Sequence, residues 1–192
     1  MKKIIFFLML SVFFFASCET EIVEEIDEFA FENGGYMRTV TPYPVVNNST
    51  FKVSKANMSG TKMELVAEAV TPNAGALFSS YDLEVRFVDA TPLPAGSVNN
   101  SKAYIAFKSY AASAYAKDAT TGYPRATLSA TGKEMQDKLG LTDDQITSGD
   151  RFEIRATMKL TNGKSFNATN SGANLTGAFY SSPFFYQVNV VN

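Results

Sequence analysis

The chain contains no histidine, no tryptophan and a single cysteine, Cys18. Without histidine, Ser-His-Asp and Cys-His arrangements are excluded, because both need an imidazole to take the nucleophile's proton. Zinc sites built on imidazole or several thiolates are excluded with them. One cysteine cannot close an intrachain disulfide. The missing tryptophan removes the commonest platform on which a sugar ring stacks. There is also no Lys/Arg-rich run: 17 basic residues stand against 19 acidic ones, for a formal charge of −2. A nucleic-acid partner is therefore not expected, since its phosphates call for a basic patch. What remains is a globular composition, 45% hydrophobic and 19% charged, in 192 residues. That length suits one medium domain plus a tether.

The N-terminus reads as a processing signal. Lys2 and Lys3 precede an apolar and small-residue run from Ile4 to Ala16. A charged start followed by a short apolar run marks a secretory signal, and this run falls well short of the roughly 20 residues a membrane-spanning helix needs. It ends in Phe15-Ala16-Ser17-Cys18, which resembles the bacterial lipobox. The resemblance implies cleavage before Cys18, acylation of its thiol and acylation of the new N-terminus. Several acyl chains at about 0.8 kcal/mol per buried methylene would hold a soluble domain at a membrane. Loss of Lys2 and Lys3 with the signal leaves 15 basic and 19 acidic residues.

Behind the cysteine stand Glu19, Glu21, Glu24, Glu25, Asp27 and Glu28, six acids in ten residues with no base among them. Like charges keep such a segment extended and solvated. The pattern also resembles the export signal that surface lipoproteins of Bacteroidota carry just after the acylated cysteine. It implies transfer to the outer face of the outer membrane, with the periplasmic face as the alternative. The expected organisation is a signal peptide over 1–17, an acidic tether over 18–35 and a single domain over 36–192.

In the domain the dominant period is two. Tyr81, Leu83, Val85 and Phe87 alternate with Asp82, Glu84 and Arg86. Phe152, Ile154, Ala156, Met158 and Leu160 alternate with Arg151, Glu153, Arg155, Thr157 and Lys159. Met63, Leu65, Ala67 and Ala69 do so less cleanly. Alternation of this kind gives strands with one buried and one wet face, as in antiparallel sheets. Further strands are expected at Phe51 to Lys55, Ala103 to Tyr110, Arg125 to Ala130, Ser165 to Ala168 and Phe184 to Val191. Asn162-Gly163 supplies a hairpin turn in which both positions take positive φ. Thr131-Gly132-Lys133-Glu134 is a capping box, with Met135 and Leu139 at helical spacing and Gly140 as the stop. One-sided strands must bury their apolar faces on one another, so the expected fold is all-β: an immunoglobulin-like antiparallel β-sandwich with one short inserted helix.

The segments "GYPRATLSATGKEMQDKLGLT" and "GDRFEIRATMKLTNGKSFNATNSGANLTGAFYSSPFFYQVNVV" carry a more specific resemblance. The Pro-Arg-Ala strand, capped helix, Gly-Asp-Arg-Phe strand, Asn-Gly turn and Ser-Pro-Phe ending resemble accessory lipoproteins of Bacteroidota, the SusE/SusF-like group usually encoded beside SusC- and SusD-like uptake proteins. Many members continue into a second domain; the sequence here ends at Asn192, so the expectation is of a short form. The resemblance implies a non-catalytic surface lipoprotein accessory to a nutrient-uptake complex. Its partners would be the membrane, through the N-terminal lipid, and an outer-membrane protein, with a glycan as an additional ligand candidate. A reading of another class is a structural subunit of an outer-membrane assembly or secretion complex with no small ligand.

Residues with chemical potential are few, and no cofactor or metal is expected. Glu64, Glu68, Glu84 and Glu153 are placed on wet strand faces, where they read as cross-strand partners of arginine rather than a hydrolytic pair. Thr142, Asp143, Asp144 and Asp150 offer oxygen ligands but match no calcium-loop spacing, and capping accounts for them. Aromatic and amide side chains near the C-terminus, Asn174, Phe179, Tyr180 and Phe185, are the candidate ligand or partner surface, since rings on a sheet edge serve interfaces well. Tyr104 and Tyr110 are further candidates, expected on the outer face of their strand.

Overall fold

The alternating segments form strands, and the face each presents follows from its odd or even positions. The structure, a computed structural model, describes residues 34–46, 49–91, 96–171 and 184–192. The described strands are β1 (Tyr36–Thr41), β2 (Phe51–Ser54), β3 (Lys62–Val70), β4 (Phe78–Val88), β5 (Lys102–Ala111), β6 (Ala116–Lys117), β7 (Pro124–Thr131), β8 (Arg151–Leu160), β9 (Ser165–Asn167) and β10 (Phe185–Val191). They make a four-stranded sheet in the order β1-β3-β7-β6 and a six-stranded sheet in the order β2-β10-β8-β4-β5, with β9 also pairing β8. The signal peptide and all but the last two residues of the acidic tether lie outside the described residues, Cys18 and its six acids included.

The two sheets pack face to face. Met37, Met63, Leu65, Ala67, Ala69, Leu128 and Ala130 come from one, and Tyr81, Leu83, Val85, Phe87, Phe152, Ile154, Met158, Tyr186 and Val188 from the other, all at most 2% exposed. Removing these side chains from water is the main stabilising contribution, at about 25 cal/mol per Å² of apolar surface. The expected all-β sandwich with a short helix is therefore what the chain forms. One pairing departs from the expectation: β10 runs parallel to β2. The strands belong to opposite ends of the domain sequence, so no tight hairpin dictates their direction.

The inserted helix, α1 (Gly132–Lys138), starts at the capping box. Glu134 N donates to Thr131 Oγ1 at 3.1 Å, and Thr131 N donates to Glu134 Oε2 at 2.7 Å. Met135, fully buried, ties α1 to the core, and Gly140 follows with φ 64°. The Asn-Gly turn is of another type than expected. Gly163 has φ 82° while Asn162 is not among the positive-φ residues. Gly163 N donates to Leu160 O at 3.1 Å and Leu160 N to Lys164 O at 2.9 Å. This is the longer hairpin loop in which a left-handed glycine closes a type I turn with a bulge.

Between β3 and β4 the chain makes a left-handed turn through Asn73 (φ 54°), Ala74 (φ 52°) and Gly75 (φ 84°). A side chain at Gly75 would sit 2.1 Å from Pro124 Cδ, so this crossing needs the missing Cβ as well as the positive φ.

Candidate functional site

The outward face of the six-stranded sheet is a lattice of paired charges. Register places Glu84 opposite Arg155, Arg86 opposite Glu153 and Asp82 opposite Thr157, next to Lys159. Arg155 Nε donates to Glu84 Oε2 at 2.6 Å and Nη2 to Oε1 at 3.1 Å, a two-pronged pair. Lys159 Nζ lies 2.7 Å from Asp82 Oδ2. Glu153 takes Arg86 Nε at 2.7 Å, Arg151 Nε at 2.7 Å and the Tyr104 hydroxyl at 3.2 Å. The Tyr104 ring meets two guanidinium groups, Arg86 at 4.8 Å and Arg155 at 4.4 Å from its centroid. The negative face of the ring favours both cations.

Glu153 corrects one expectation, since it is only 4% exposed rather than on a wet surface. Three neighbours cover it. Burial alone would raise its pKa, but hydrogen bonds from Arg151 and Arg86 outweigh that and hold it low. Glu68 corrects a second. Its carboxylate is wholly buried on β3 among Arg38, Arg125 and Thr121. Here too the donors overcome desolvation and keep the pKa below the usual glutamate range. In both cases the sequence alternation placed the backbone correctly. Long arginines folded over the carboxylates removed them from water.

Tyr110 was expected beside Tyr104 on the outer face, and it points the other way. It stands opposite the buried Tyr81, and its hydroxyl donates to Ser129 O of the other sheet at 3.0 Å. The two tyrosines share parity, but the β4–β5 register shifts between Leu83 and Glu84. A bulge adds one residue and reverses the faces beyond it.

Of the C-terminal candidates, Asn174, Phe179 and Tyr180 lie outside the described residues. Phe185 is half-buried on β10, opposite Arg155. Phe184 and Tyr186 on either side belong to the core, at 1% and 0% exposure. Phe185 thus extends the outer lattice, beside Gln187, whose Nε2 donates to Asn189 Oδ1 at 2.7 Å.

Asp150 is a structural carboxylate. Its two oxygens accept from the backbone N–H groups of Ala90 (3.0 Å), Thr91 (3.2 Å) and Thr147 (2.7 Å) and from the Thr91 and Thr147 hydroxyls. Desolvation raises its pKa, and these donors outweigh it to lower the value. A carboxylate filled by five donors is poorly placed to ligate calcium. Among the described residues no group of three His, Cys, Asp or Glu is arranged to hold a metal ion.

A second feature had no sequence signal. At one end of the sandwich a cleft of about 410 Å³ opens between the turn at Lys55–Asn57, α1 and the turn at Asp143–Gln145. Ala56, Met58 and Ile146 give it an apolar wall, and Lys55, Gln136 and Asp143 supply polar groups, with Asn192 also at its edge. Gln136 is 2% exposed. Its Nε2 donates to Asp143 Oδ1 at 2.6 Å, while its Oε1 is buried without a hydrogen-bond partner. The residues that assemble here come from three separate stretches, 55–58, 136–146 and Asn192, and none forms a motif. Among the described residues no helix is long and apolar enough to cross a membrane. Compared with known proteins, the chain matches no family model and no curated protein.

Proposed function

We propose that this chain is a lipid-anchored, immunoglobulin-like, non-catalytic protein of the outer-membrane surface, accessory to a nutrient-uptake complex of the SusC/SusD type. The observation that carries the reading is the order of segments: Lys2-Lys3, the apolar run to Ala16, Ser17-Cys18, six acids, then a sandwich whose first strand begins at Tyr36. Between Cys18 and that strand lie 17 residues, which at about 3.3–3.6 Å each reach up to roughly 60 Å when extended. Such a tether holds the domain near the membrane at high effective concentration, so a weak binding face suffices.

The described surface supports a binding rather than a catalytic role. Glu68, Glu84 and Glu153 are each neutralised by arginine, whereas general acid–base work needs a carboxylate held ready for proton transfer. Tyr104, Phe185, Gln187 and Asn189 with the arginine lattice make a broad, polar and aromatic face suited to an outer-membrane protein partner, with a glycan as the additional candidate.

The deciding experiment has two parts. In cells, Cys18→Ala is expected to lose labelling by a fatty-acid analogue, while added protease digests the wild type on intact cells. Affinity capture of the lipidated protein from detergent, read by mass spectrometry, is expected to return a barrel-type outer-membrane protein in fixed ratio. Labelling that persists in Cys18→Ala, or recovery of the bait alone, defeats the proposal.

A further inference from the structure

We propose that the outward face of the six-stranded sheet binds an acidic polysaccharide of the uronate type, laid across the corner that Lys52, Arg151 and Arg86 form. This rests on the reading of that face as a binding surface and gives the glycan candidate a charge. It is independent of the lipid anchor.

The chain's excess of acid does not extend to this domain. Residues 36–192 hold 15 basic and 12 acidic side chains, and the other seven acids lie between Glu19 and Glu32. On the sheet face, Arg155 is matched by Glu84 and Lys159 by Asp82. There remain Lys52, Arg86 and Arg151 against one acid, Glu153, an excess of two positive charges. Lys52 points outward from β2 between the buried Phe51 and Val53. Among the described residues it has no acidic partner.

The two arginines are held in place before any ligand arrives. Glu153 takes Arg151 Nε on one oxygen and Arg86 Nε on the other, at 2.7 Å each. Tyr104 donates to the same carboxylate, and its ring centroid lies 4.8 Å from the Arg86 guanidinium. Both side chains still meet solvent, at 31% exposure for Arg151 and 39% for Arg86. Among the described residues, neither Nη of Arg151 and only Nη2 of Arg86 has an acceptor. A guanidinium fork fixed in this way matches a carboxylate and loses little freedom on binding it.

Register sets the order of the cations. Lys52 stands opposite Asn189, and Asn189 opposite Arg151. Lys52 and Arg151 are therefore two strand spacings apart, about 10 Å. Arg86 follows on β4, opposite Glu153. A linear polymer crossing the strands meets the three in turn, and single charges along it answer cations spaced singly. On β10 between them Gln187 Nε2 donates to Asn189 Oδ1 at 2.7 Å. Such amides both donate and accept, as sugar hydroxyls do. A neutral glycan leaves the guanidiniums unanswered, and an acidic polypeptide brings carboxylates without the hydroxyls.

The test is calorimetric titration of the full chain with polygalacturonate, using amylose as the neutral polysaccharide and poly-L-glutamate as the acidic polypeptide. Saturable binding is expected for polygalacturonate at low salt, and at least about tenfold weaker binding for the other two. The affinity should fall as salt is raised, since exposed charges are screened. Arg151→Gln is expected to weaken binding about tenfold. Lys52→Gln alters only an exposed side chain outside the Glu153 network, so it reports even if the arginine variant does not fold; a loss of about threefold or more is expected. The proposal is overturned by absence of saturable heat with polygalacturonate, by amylose or poly-L-glutamate binding as tightly, or by unchanged affinity in Lys52→Gln. Labelling at Cys18 and capture of a membrane partner do not depend on these titrations, so a failure here is distinct from a failure of the anchoring proposal.

Discussion

Arg125 Nη2 lies 2.6 Å from Glu68 Oε2, and that carboxylate has no exposure to solvent. Arg38 holds the other oxygen from β1 and Thr121 adds a hydroxyl at 2.7 Å. Arg125 also reaches Asp118 at 2.7 Å, drawing the β6–β7 connection into the network. One buried charge thus joins three strands and a loop. Glu68→Gln is expected to cost about 2–3 kcal/mol, because two arginines lose their counter-charge in a partly desolvated place. The native pKa is depressed below 4.5. The associated stability is therefore fully present above that value and is lost as pH falls through the native pKa. Thermal melts between pH 7 and pH 3 should show a steeper acid decline in the wild type than in Glu68→Gln. Parallel declines would remove the assignment.

In the core, the hydroxyls of Tyr81 and Tyr186 meet at 2.9 Å, with both residues fully buried. Each single change to phenylalanine removes the hydrogen bond between the two hydroxyls and is expected to cost about 1–2 kcal/mol. The double change should cost less than the sum, with a coupling of at least about 0.5 kcal/mol in a denaturation cycle. Burial raises the native pKa of both phenols, Tyr186 to about 12. Stability from this source is intact below the ordinary phenol value of 10.0 and falls as pH rises above it, so alkaline unfolding should soften in the double variant.

At the start of α1, Thr131→Ala removes the cap of the Glu134 amide and is expected to cost about 1 kcal/mol. Glu134→Gln keeps an oxygen for Thr131 N and loses only the charge facing Lys108, 2.7 Å away. As a half-exposed pair this should change stability by less than about 1 kcal/mol. Urea denaturation distinguishes the two; equal costs would mean that the ion pair, not the cap, starts the helix.

Outside the sandwich, changing the six tether acids to their amides tests the address separately from the anchor. Lipid labelling at Cys18 should persist, and digestion by protease on intact cells should disappear. Continued digestion at the wild-type rate would show that the acids only solvate the tether.

Period-two alternation was enough to place β4 and β8, because a strand with one buried face writes that face into every second residue. The capping box was equally plain, since Thr131 and Glu134 satisfy each other within four residues. Tyr110 was misplaced because a bulge leaves no local mark in composition, yet it reverses every side chain beyond it. The burial of Glu68 and Glu153 was hidden for a related reason: Arg38 and Arg125 reach Glu68, and Arg86 reaches Glu153, from other strands. Gln136 gave no signal at all. Its importance lies in an atom without a partner, a fact that exists only once α1 and the turn at Asp143–Gln145 are packed.

The sequence by itself determined which residues of β4 and β8 face the core, where the helix starts, and that no site built on histidine or on several cysteines can form from these side chains. Those properties rest on residue inventory and on neighbours within a few positions. The tertiary structure decided which charges are desolvated, which way the β5 tyrosines turn, that β2 and β10 run parallel, and that a cleft forms around Gln136. Those depend on register and packing between distant segments, where a one-residue shift changes a side chain's face and an arginine from another strand changes its solvent.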